Sequence, residues 1–193
     1  NGHYREALDL RKKAYESLKA TEGGKTDDTI AAQLSLAKTL SKAGNWQDSI
    51  LVYSDLYQRL ESDPDIKAPN KMGKSENIHH AMFNSVAEEL ANALYASGRY
   101  GEAAMKYEVV LAEFKKYKET SNPTTKHRAE ILCRLGDCYR LLSQYANAEK
   151  TYEEALKIWN ENARESSQLI ATTRLLAFVH FQQEHYKRAR YLY

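Results

Sequence analysis

Five times in 193 residues an aromatic residue stands three positions before a small one: Tyr4 and Ala7, Trp46 and Ser49, Tyr100 and Ala103, Tyr145 and Ala148, Tyr186 and Ala189. A local pattern that recurs in register means one supersecondary unit copied several times, and this limits the fold more than any total does. Other positions recur with it. Leu36-Ala37, Leu90-Ala91, Leu135-Gly136 and Leu176-Ala177 precede four of the aromatics, and Leu40, Leu94, Tyr139 and His180 follow these pairs on the same helical stripe. Tyr53, Tyr107, Tyr152 and Tyr193 come four residues after the small residue. The unit predicts a helical hairpin. A small residue on the first helix lets its partner approach, Gly44 or Gly98 marks the turn, and the second helix buries its aromatic, its small residue and its tyrosine. Stacked copies make an all-α chain, an α-solenoid.

These residues resemble the tetratricopeptide repeat, W-x2-L-G-x2-Y…A-x3-F…P. The stretch LGDCYRLLSQYANAEKTYEEAL supplies Leu135, Gly136, Tyr139, Ala148 and Tyr152 at matching spacing. The resemblance implies a right-handed superhelix of antiparallel hairpins that serves as a non-catalytic interaction scaffold. Successive small residues lie 42, 54, 45 and 41 positions apart. The family period is about 34 residues, so the common excess is close to two helical turns and keeps the buried stripe in phase. Such long repeats are similar to those of the kinesin light chain group, and similar arrays form sensor arms of nucleotide-driven signalling switches.

The expected organisation is one array over residues 1–193. It comprises the second helix of a first repeat (1–20), repeats at 28–61, 78–119 and 123–160, and a truncated repeat at 166–193. The segment ESDPDIKAPNKMGKSEN, with Pro64, Pro69 and Gly73, accounts for the long interval and predicts a polar surface insertion over 62–77. TEGGKTDD, TSNPTTK and NENARESSQ read as connectors, with Asn122 as a helix cap and Pro123 at the first helical position. The chain lacks an initiator Met and begins inside the periodic pattern, which reads as a piece of something longer.

Composition narrows the function. Lys plus Arg is 28 and Asp plus Glu is 26, so the formal charge of +2 gives no global pull toward nucleic acid. The clusters FKKYK and YKRAR are basic, but on second helices their aromatics read as core and their charges as a solvated face. No apolar run approaches the roughly 20 residues of a membrane span. Cys133 and Cys138 sit about 140° apart around a helix, too divergent to join easily, which suits a reducing, cytoplasmic setting. GGKT, from Gly23 to Thr26, lacks the glycine of a phosphate-binding loop, since Lys19 occupies that position. Cys138 falls between core positions Leu135 and Tyr139 and reads as packing rather than a nucleophile. His127, Cys133 and Cys138 have no zinc spacing, His79-His80 lack neighbouring ligands, and His180 and His185 read as repeat and surface residues. No catalytic residue, cofactor, metal or small-molecule substrate is expected.

The resemblance also implies where a ligand sits, because first helices line the inner face of such arrays. Counting from the Leu-small pair assigns Leu34, Ser35, Lys38 and Ser41 inward in the second unit, and Glu88, Glu89, Asn92 and Tyr95 in the third. The fourth offers Cys133, Arg134, Asp137 and Arg140, and the fifth Arg174, Phe178 and Phe181. The implied peptide-binding set is Lys38, Asn92, Tyr95, Arg134, Asp137, Arg140, Arg174, Phe178 and Phe181. Asn92 would grip a peptide backbone, the basic residues would fix acidic groups, and the phenylalanines would form an apolar pocket. Lysine, asparagine and arginine do not fill all positions of the family's carboxylate clamp. The partner is then a protein or a short acidic or mixed acidic and aromatic peptide. The rival reading is a structural or sensor arm that contacts its own copies, through exposed repeat ends, or a regulatory domain.

Overall fold

The computed structural model describes residues 2–22, 26–62, 76–116, 122–162 and 167–192. Among these residues nine helices and no strands occur: α1 (Gly2–Glu22), α2 (Asp27–Lys42), α3 (Trp46–Ser62), α4 (Glu76–Ala96), α5 (Tyr100–Lys116), α6 (Asn122–Leu141), α7 (Tyr145–Asn162), α8 (Ser167–Gln182) and α9 (Tyr186–Leu192). No described helix is long and apolar enough to cross a membrane. Gly23 to Lys25 of the GGKT segment, most of the insertion (63–75) and Tyr193 lie outside the described residues.

The helices group into two compact units, Asn1–Gly98 and Arg99–Tyr193. In the first, α1 packs on α2, α2 on α3 and α3 on α4. Thr26 caps α2 with its hydroxyl, which accepts from the Thr29 amide at 3.3 Å. Asp27 and Asp28 then place negative charge on the positive end of the helix. The core joins Leu36, Ala37 and Leu40 of α2 to Tyr53, Leu56 and Tyr57 of α3 and to Phe83, Val86 and Leu90 of α4, all buried. Tyr57 and Phe83 stack with ring centroids 4.9 Å apart.

In the second unit α5 packs on α6, α6 on α7, α7 on α8 and α8 on α9. Ala148 and Tyr152 of α7 meet Leu176 and Val179 of α8 in one buried cluster. Within each unit every helix thus packs on its chain neighbours, as in a tetratricopeptide solenoid. The register explains the packing: Ala37, Ala91, Ala103, Ala148 and Ala177 are fully buried, as are Tyr53, Tyr107 and Tyr152. The repeated aromatics depart from the expectation of burial. Trp46, Tyr100 and Tyr145 are half-buried and Tyr186 is exposed, because they open the second helix at its turn end, where one side faces the solvent.

Four turns among the described residues have the same geometry at the position five before the small residue. Gly44 and Gly98 take φ of 76° and 82°, and Ser143 and Glu184 take 59° and 62°. The amide after this residue reaches back to close the first helix, from Asn45 to the Leu40 carbonyl, from Gln144 to that of Tyr139 and from His185 to that of His180. Only glycine adopts this left-handed conformation without a Cβ penalty. We predict that Ser143→Gly and Glu184→Gly each stabilise the fold by about 1 kcal/mol, read as a raised midpoint of urea unfolding.

Candidate interaction surface

The first helices carry every residue of the implied peptide-binding set, and none is buried. In the Asn1–Gly98 unit, Lys38 of α2 stands 3.8 Å from the Glu89 carboxylate of α4, so its charge is already met from the next first helix. Both side chains are well exposed, which makes the pair worth little to stability. Asn92 and Tyr95 lie half-buried on α4 and are engaged in interactions of their own. Ser41, also counted inward, turns instead to its own hairpin, with its hydroxyl 2.5 Å from that of Ser49 on α3.

In the Arg99–Tyr193 unit the implied set divides in two. Asp137 and Arg140 are tied down. Arg140 donates from Nη2 and Nε to Asp137 Oδ1 at 3.0 and 3.2 Å, and the buried Tyr152 hydroxyl donates to the same oxygen at 2.9 Å. The Arg140 guanidinium also lies over the Phe178 ring, 5.8 Å from its centroid, which joins α6 to α8. Arg134 and Arg174 are different, being exposed on α6 and α8 and having no hydrogen-bond or ion-pair partner among the described residues. Phe178 is 37% exposed and Phe181 is 53% exposed, and Phe181 meets Tyr186 edge to face at 5.6 Å.

Both cysteines are free thiols. Cys138 is fully buried in α6, and burial, helped by Asp137, pushes its thiol up to about 12. Burial raises Cys133 as well, and its sulfur lies 3.2 Å from the Thr172 hydroxyl of α8. Neither environment yields the thiolate that nucleophilic chemistry needs. We predict that Cys138 in the folded chain reacts with an alkylating reagent at pH 8 roughly a thousandfold more slowly than in the unfolded chain, as mass spectrometry of timed quenches would read.

A cavity of about 310 Å³ lies among α5, α6 and α7. Its polar groups meet one another, Tyr139 with Glu108 and Arg128 with Glu154. The spacing of histidines along the chain missed one grouping. Glu149 of α7, His180 of α8 and His185 at the start of α9 bring ligand-type atoms within 4.8 Å of one another. His180 is buried, in keeping with its place on the repeat's stripe, and His185 is exposed.

Comparison with known proteins places these features. Residues 127–193 match the family described as the tetratricopeptide repeat. Among solved structures, the nearly identical TPR-like repeats of a kinesin light chain from Podosopora anserina superpose with a TM-score of 0.74 at 20% identity, over 100% of this chain and 84% of that one. BtubC (BKLC) from P. vanneervenii gives 0.64 at 17% identity, over 98% and 70%. The apo form of RapI gives 0.70 at 16% identity, over 97% of this chain and 47% of RapI. No curated protein matches the sequence.

Proposed function

We propose that the chain, whose residues 127–193 match the tetratricopeptide repeat, is an array of such hairpins of the long, kinesin-light-chain-like type and a scaffold for a short acidic peptide held against α6 and α8. Protein-protein interaction is the general role of this fold, and its repeats present extended surfaces without catalytic groups. The observation that carries the finer reading is the state of the arginines. Arg134 and Arg174 are exposed and unpartnered among the described residues, whereas the neighbouring Arg140 is already neutralised by Asp137. A guanidinium without an internal carboxylate is available to clamp one from a ligand in two-pronged fashion. Phe178 and Phe181, exposed on the same helix as Arg174, offer an apolar seat beside the charge. An aromatic followed or preceded by Asp or Glu is the side-chain pattern that fits. Lys38 contributes less, because a peptide carboxylate has to displace Glu89 to reach it. Within the Asn1–Gly98 unit, Asn92 and Tyr95 of α4 would serve contacts to a peptide backbone.

The charge-reversed pair Arg134→Glu and Arg174→Glu tests this directly. A charge-assisted hydrogen bond contributes about 1.5–3 kcal/mol, so losing either arginine should weaken an acidic peptide about tenfold or more by calorimetry. Affinity unchanged in both variants would remove the charge assignment. The same variants should leave thermal unfolding within a degree or two of the parent, since neither side chain holds a partner within the fold.

A further inference from the structure

We propose that Glu149, His180 and His185 form a binding site for a divalent transition-metal ion of the zinc class, closing the corner where α7, α8 and α9 meet. Three observations carry it. The ligand-type atoms of the three side chains already lie within 4.8 Å of one another. Two imidazoles and a carboxylate are a donor set that suits Zn²⁺, and three protein ligands with one water complete its preferred tetrahedron.

The second observation is the state of His180. Its side chain is 3% exposed, and its Nδ1 has no hydrogen-bond partner among the described residues, while the Glu149 carboxylate oxygen stands 3.9 Å off. A buried nitrogen without a partner is costly, which makes it a group waiting for a ligand. The third comes from the repeat itself. At the three equivalent junctions the same three register positions hold Leu8, Leu40 and Asn45, then Ile50, Leu94 and Arg99, and then Ala104, Tyr139 and Gln144. His180 therefore stands where sister units place leucine or tyrosine, and its two potential co-ligands occur at that junction and not at the others. Packing alone has no need of this replacement.

The geometry requires a small contraction. Tetrahedral ligands about 2.0 Å from zinc lie roughly 3.3 Å from one another, so the side chains close by up to about 1.5 Å. His185 is exposed at the head of α9 and has room to swing. Arg188 now touches the Glu149 carboxylate at 3.5 Å with a largely exposed side chain. It holds the place of a cation and leaves when the metal enters.

The test is zinc titration of the full chain by calorimetry, with thermal unfolding alongside. The expected result is one tight site whose filling raises the unfolding temperature. His185→Ala and Glu149→Gln each weaken it by about tenfold or more, the scale on which even outer-shell partners act. His180→Leu restores the residue of the sister units, so it folds and loses both the site and the zinc-dependent stabilisation. Arg188→Ala, which removes the competing cation, binds at least as tightly as the parent. The proposal is overturned if the parent shows no binding at micromolar zinc, or if His185→Ala and His180→Leu bind as the parent does, which would place the metal on other histidines.

Discussion

Tyr152→Ala should remove about 3–5 kcal/mol of stability, the scale for truncating a fully buried aromatic, and it should also reverse the sign of a second substitution. Tyr152 has no exposed surface and sits in the α7–α8 core with Ala148, Leu176 and Val179. Its ring lies against Gly136 of α6. A Cβ at position 136 would come within 2.6 Å of Cε1 and 2.8 Å of Cδ1. In the parent, Gly136→Ala therefore forces the ring to move, at about 1–3 kcal/mol for overpacking. In the Tyr152→Ala background the ring is gone, and the same change should stabilise the helix by up to about 1 kcal/mol. Urea unfolding of the four proteins reads the coupling. Effects that add to within about 0.5 kcal/mol would show that ring and glycine do not depend on each other. If Tyr152→Ala does not fold, Tyr152→Leu serves in its place. Tyr152→Phe separates the remaining contribution, because it keeps the packing and deletes only the hydrogen bond to Asp137.

That coupling shows which parts of the fold were readable from residues alone. Repetition made the hairpins legible, since Leu-small pairs and tyrosines recur at fixed spacing and any packed solution has to bury them together. By residue type alone Gly136 is merely the small member of its pair. Its requirement for no side chain at all is visible only once Tyr152 is placed against it, because the sister positions Ala37, Ala91 and Ala177 tolerate a methyl. The left-handed turn residues were legible where they are glycine. They were hidden at Ser143 and Glu184, since the repeat imposes that conformation on residues that do not advertise it.

The surface was harder to read for a physical reason. Counting along a helix gives the direction of a side chain but not what it meets. Asp137 and Arg140 share the face assigned to a ligand, yet the Tyr152 hydroxyl reaches the same carboxylate and turns the pair into support for the hairpin. Arg134 and Arg174, identical to Arg140 in chemistry, have no such neighbour. The grouping of Glu149 with His180 and His185 was invisible for the same reason. Its carboxylate comes from the preceding unit, 31 and 36 positions away in the chain, and no local spacing motif reaches that far.

Alkaline pH should unfold this chain cooperatively, and the sign follows from which side of each titration the fold favours. Burial drives Tyr53 and Tyr152 far above the usual phenol range and pushes Tyr57 and Cys138 up to about 12. In the unfolded chain a phenol ionises near pH 10 and a thiol near 8.5. The folded state therefore holds protons that the unfolded state releases. Stability is intact below about pH 8.5 and falls as pH rises through 10 toward 12, by about 1.4 kcal/mol per pH unit for each such group. Four buried groups acting together would cancel a typical stability of about 10 kcal/mol within roughly two pH units. Tyrosinate absorbance and far-ultraviolet circular dichroism, followed together, give the test. The ionisation of Tyr53, Tyr57 and Tyr152, seen as a rise in tyrosinate, should coincide with the loss of helix. In Tyr152→Phe the dependence of unfolding on pH should be shallower by about one proton. Ionisation of all tyrosines in one smooth step near pH 10, with helix retained, would show that these phenols are not held neutral by the packing.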